Sequence, residues 1–73
     1  MSTSFDFGKL YAEFMVNSNQ VKIGETVNVD KMVTSSRDIP DADYMAIKQT
    51  DTGIPNSREY WYGYNAYMIE NNQ

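Results

Sequence analysis

The sequence predicts an α+β protein dominated by β structure, with an N-terminal helix packed on a small antiparallel sheet. Three observations carry that expectation. Near the N-terminus, Phe7, Leu10, Tyr11, Phe14 and Met15 recur at helical spacing. Residues 21–33 alternate between apolar and polar side chains, the period of a half-buried strand. The run from Tyr60 to Tyr67 holds five of the ten aromatic residues and the one tryptophan, side chains that favour pleated surfaces. The 73 residues are read as one domain, 1–73. A chain of this length buries a smaller share of its surface than a larger domain does.

The helix is assigned within residues 1–16. Ser4 is its expected N-cap, and Asp6 suits the positive end of the helix dipole. Asn17-Ser18-Asn19-Gln20 ends the pattern. A strand over Leu10–Val16 is the rival, because Leu10, Ala12, Phe14 and Val16 also alternate. In residues 21–33, Val21, Ile23, Val27, Val29 and Val33 share one face. Gly24 marks a turn or bulge there, so a hairpin around Gly24-Glu25-Thr26 and one long bent strand bury the same residues.

Residues 34–43 read as irregular: serine and threonine are dense at 34–36, and Pro40 ends any regular run before it. Residues 44–50 are expected as a strand, although Pro40 followed by two aspartates also resembles a helix start. The composition of residues 51–57 is that of a loop. For the aromatic run a strand through Tyr60–Tyr64 is preferred, with a turn near Asn65 and a short strand or helical turn over 67–70. Gly63 would then mark a bulge. A helix is the alternative: Asn56 and Glu59 have capping-box spacing, and Tyr60, Trp61, Tyr64, Tyr67 and Met68 then share a face. Several short strands between turn signals allow the sheet to curl into an SH3-like partial barrel, a fold analogy that carries no function.

Composition removes several functions. Neither cysteine nor histidine is present, so disulfides and the usual zinc sites are excluded, together with the commonest general base and the most reactive nucleophile. No glycine-rich phosphate loop and no G-x-S-x-G occurs. The expectation is a non-enzyme without cofactor or metal. Asp38, Asp41 and Asp43 cluster, but lack the spacing of a calcium loop and read as a solvated acidic segment. With no basic-then-apolar leader and no long apolar run, no membrane association and a cytoplasmic location are expected.

Charge is uneven. Residues 1–37 carry four bases and four acids, whereas residues 38–73 carry six acids and two bases, and so the whole net charge of −4. That balance weighs against nucleic acid and for a basic protein partner. With Trp61 turned inward, Tyr60, Tyr62, Tyr64 and Tyr67 are the expected contact row, steered by Asp38, Asp41 and Asp43. The expected function is a small acidic protein-interaction domain of the type that viruses and phages direct at host machinery, there acting in the host cytoplasm. Two alternatives stand beside it. One is a small-barrel nucleic-acid binder that stacks bases on the aromatics and uses Lys9, Lys22, Lys31 and Arg37 for phosphates. The other is a self-associating structural subunit, a homo-oligomer.

Overall fold

The structure, a computed structural model, describes residues 3–33, 38–50 and 54–72. Four helices follow one another: α1 (Thr3–Asn17), α2 (Val29–Met32), α3 (Asp41–Lys48) and α4 (Ser57–Glu70). No strand occurs among the described residues. The β-dominated α+β expectation is therefore overturned, and with it the antiparallel sheet and the partial barrel. Residues 34–37, Arg37 among them, and the turn expected at 51–53 lie outside the described residues.

The N-terminal helix is present, but turned differently from its apolar pattern. Its buried residues are Ser4, Gly8 and Ala12, spaced by four. This narrow stripe of small side chains faces α4. A Cβ on Gly8 would sit 1.8 Å from the Tyr60 carbonyl oxygen, and one on Gly63 would sit 2.0 Å from the Phe5 carbonyl oxygen. Backbone meets backbone at this crossing, and a glycine on each helix permits it. Ser4 is not an N-cap. It lies inside the helix, 2% exposed, and its hydroxyl accepts a hydrogen bond from the Asn56 amide at 2.9 Å.

The end of α1 and the start of α4 each have a local cause. Past the end of α1, Asn19 adopts a left-handed φ of 61°. The Gln20 amide then reaches the Met15 carbonyl at 2.9 Å and the Asn19 amide reaches Val16 at 3.0 Å, a Schellman closure with asparagine in glycine's place. At the start of α4, the Asn56 side chain accepts from the Glu59 amide at 3.1 Å. The capping spacing was thus the informative signal, and the strand assigned to Tyr60–Tyr64 gives way to a helix. Similarly, α3 begins after Pro40 with Asp41 and Asp43 in its first turn, in place of the strand expected over 44–50.

The alternation in residues 21–33 is real but is not a strand. A turn forms at Lys22–Glu25, with Gly24 at a φ of 93°. Val21, Val27, Val29 and Val33 are then half-buried against the core, while Lys22, Thr26, Asn28 and Asp30 point to solvent. Backbone pairing comes from a side chain. The Asn65 Nδ2 donates to the Val27 carbonyl at 2.9 Å, and its Oδ1 accepts from the Val27 amide at 2.8 Å. One amide from α4 thus satisfies both groups that a neighbouring strand would otherwise pair.

The core consists of Ala12, Ile39, Ile47, Tyr60, Trp61, Tyr64 and Met68. Tyr11 leans over it from α1, with ring centroids 6.0–6.2 Å from those of Tyr60, Trp61 and Tyr64. The Trp61 ring stands edge-on to Tyr60 at 5.0 Å, a favoured aromatic arrangement.

Candidate protein-binding groove

Because α1 turns its small residues to α4, its large ones are left on another side. Phe7, Leu10, Tyr11 and Phe14 form a stripe at i, i+3, i+4 and i+7. Against it stand Pro40, Ala42 and Asp43 at the start of α3, and the two walls enclose a cleft of about 310 Å³. This volume lies at the lower end of the range for ligand sites. Leu10 is 58% exposed and Phe14 61% exposed. Leu10 and Phe14 are neighbours at i and i+4 on that stripe, so their exposed surface is contiguous, the form of apolar patch that contact surfaces use.

The rim is acidic. Asp43 borders the cleft, and exposed Asp41 lies two residues before it in the first turn of α3. On α1, exposed Asp6 and Glu13 flank Leu10 at i−4 and i+3. The one cation on each wall is engaged elsewhere. Lys9 meets Glu70 at 3.4 Å, and the Lys48 ammonium lies 5.7 Å from the Tyr44 ring centre.

Asp43 is held from below. The buried Tyr60 hydroxyl donates to its Oδ2 at 2.5 Å. Burial first, and the neighbouring carboxylate second, push the Tyr60 phenol far above its ordinary pKa, so it stays a neutral donor. Burial also raises Tyr64.

The expected contact residues divide. Tyr60 and Tyr64 are in the core and offer no surface, and Tyr67 is half-buried. Tyr62 is exposed on the opposite side of α4, its hydroxyl 3.4 Å from Arg58, which also meets Asp30 at 2.7 Å. An outward tyrosine row is thus replaced by one outward tyrosine. The reason is the period: a helix brings residues 60, 61, 64 and 68 to one face, where a strand would separate 60 from 61. Asp38 is occupied as well, accepting from the Ser57 hydroxyl at 2.6 Å. Of the three aspartates, Asp43 lines the groove, and exposed Asp41 lies two residues before it. Among the described residues, no group of three or more acids is placed to hold a metal ion. Nor is any described helix long and apolar enough to cross a membrane.

Phe7, Leu10 and Phe14 were missed as site residues because the helical pattern assigned them to the core. The sequence did hold a signal against that assignment, the Ser4, Gly8, Ala12 spacing. A larger hollow of about 470 Å³ lies at the turn from Asn19 to Glu25, but a single polar segment forms it. Its Glu25 carboxylate already accepts from the Lys22 amide at 2.6 Å. Comparison with protein-family models, curated proteins and solved structures found no match, so geometry alone carries the functional reading.

Proposed function

We propose that this protein acts by binding a basic protein partner through the groove between α1 and α3, without chemistry of its own. The observation that carries the reading is the pair Leu10 and Phe14, more than half exposed on an apolar stripe beside an acidic rim. Their burial by a partner contributes about 25 cal/mol per Å² of apolar area removed from water. The surrounding carboxylates add less to affinity than to the rate and selectivity of encounter. The sequence supports the same reading, because no histidine or cysteine is available for catalysis.

The test compares the wild-type chain with the Leu10→Ser/Phe14→Ser variant as baits. Both positions are exposed, so the variant is expected to keep its helical circular dichroism. Wild type is expected to retain basic proteins that the variant does not, with retention weakening as salt rises. If the folded variant captures the same proteins as wild type, the groove is not the contact surface.

A further inference from the structure

We infer that the groove takes an amphipathic helix from the partner, with large apolar side chains on one face and lysine or arginine beside them. This rests on the groove reading above and specifies its occupant.

The first argument is backbone satisfaction. The α1 wall of the cleft is helix interior whose amide and carbonyl groups are consumed internally, the α3 wall is a single first turn, and no sheet edge is offered among the described residues. An extended peptide laid in this apolar cleft would lose water from its backbone and find few partners, leaving buried polar groups unsatisfied. A helix carries its own hydrogen bonds into the groove.

The second argument is shape. The stripe from Phe7 to Phe14 runs seven residues along α1, about 10 Å at 1.5 Å per residue. It presents the i, i+3, i+4, i+7 ridge into which a second helix packs. Pro40 and Ala42 form the opposite wall at the start of α3. Only the first turn of α3 and Pro40 reach the stripe, and Leu10 and Phe14 stay more than half exposed, so much of the stripe is left to an incoming third helix.

The third argument is charge. Asp43 lines the cleft, exposed Asp41 lies two residues before it, and exposed Asp6 and Glu13 lie on α1 beside Leu10, so cations flanking the apolar anchors meet carboxylates. The same distribution opposes a second copy of this chain docking groove to groove, because like rims would meet.

The experiment is an NMR titration of the isotope-labelled full chain with three synthetic peptides. One is a leucine/lysine amphipathic helix of about 15 residues, long enough to hold helical structure. One replaces every lysine by glutamate. One keeps the leucine/lysine composition but carries two central prolines that prevent a helix.

The leucine/lysine helix is expected to shift amide signals of Phe7–Phe14 and Ala42–Asp43. Its affinity should fall about tenfold or more, 1.4 kcal/mol, in Leu10→Ser/Phe14→Ser. The glutamate and proline peptides are expected to bind at least tenfold more weakly. Equal binding of the proline peptide, equal binding of the glutamate peptide, shifts centred on Tyr62 and Ile69, or concentration-dependent self-association through Leu10 would each overturn the inference. So would silence toward all three. If the peptides behave this way while lysate capture still depends on Leu10 and Phe14, the helical occupant is wrong and the groove reading stands. If capture ignores both residues, the groove reading falls with it.

Discussion

At the scale of single residues, Tyr60 sets the tightest constraint. Its ring is fully buried and its hydroxyl ends on Asp43 at the edge of the groove. Burial holds the phenol protonated in the folded chain beyond its ordinary range, with Asp43 adding to the effect. An unfolded tyrosine ionises near pH 10. Stability from this group is therefore complete below about pH 10 and declines above it, because only the unfolded chain then releases the proton. The limiting slope is about 1.4 kcal/mol per pH unit per such tyrosine, with Tyr64 acting in the same direction. Urea unfolding at pH 8 and at pH 11 measures this loss. Tyr60→Phe should remove part of the alkaline loss, and should cost about 0.5–1.5 kcal/mol at neutral pH through the missing hydrogen bond. An alkaline loss identical in both chains would place the titration elsewhere. Asn65 is the second such residue. Its one amide substitutes for a strand partner along Val27, a role no residue pattern announces, because an asparagine in a tyrosine-rich run reads as a turn.

At the scale of elements, the α1–α4 crossing decides the fold. In an exposed helix, Gly→Ala stabilises by about 1 kcal/mol. At Gly63 the sign should reverse, because the new methyl would sit 2.0 Å from a backbone carbonyl that cannot turn aside. Gly63→Ala is expected to cost about 1–3 kcal/mol net. For a chain of this size, each kcal/mol is about 4–8 °C in Tm by calorimetry. A melting temperature at or above wild type would mean that the helices separate without penalty. The same crossing explains what was and was not legible. Reading Gly63 as a strand bulge treats its function as local; it serves a neighbour's backbone. Likewise, tyrosine and tryptophan favour strands by propensity, but here the burial of residues 60, 61, 64 and 68 on one side outweighs it. The capping spacing at Asn56 and the proline-then-aspartate pattern at Pro40 both mark where helices begin, against aromatic propensity at one and the shortness of residues 44–50 at the other. The valines of residues 21–33 showed which side chains turn inward without showing what pairs their backbone.

At the scale of the whole molecule, the acidic balance was legible, but its location was not. Sequence arithmetic placed the negative charge in the second half; folding brings Asp43 of that half to the cleft that α1 lines, while exposed Asp6 and Glu13 of the first half lie on α1 beside Leu10. The groove exists because two distant segments meet there, which no local pattern encodes. The Ser4–Asn56 hydrogen bond spans 52 positions, and it ties the two helices that hold most of the core. Helical proteins usually fold fast because their contacts are close in sequence. Here the central contact appears only after nearly the whole chain has closed on itself. Closing a loop of about 50 residues costs about 1.5 kcal/mol more than closing one of 10, from the logarithmic dependence on length. Stopped-flow refolding should therefore be slower than the microseconds to milliseconds of locally connected bundles, and Gly63→Ala should slow it further if the crossing forms in the transition state. A nascent chain presents α1 before α4, so the Ser4, Gly8 and Ala12 face of α1 waits for its partner until the residues between the two helices have been made.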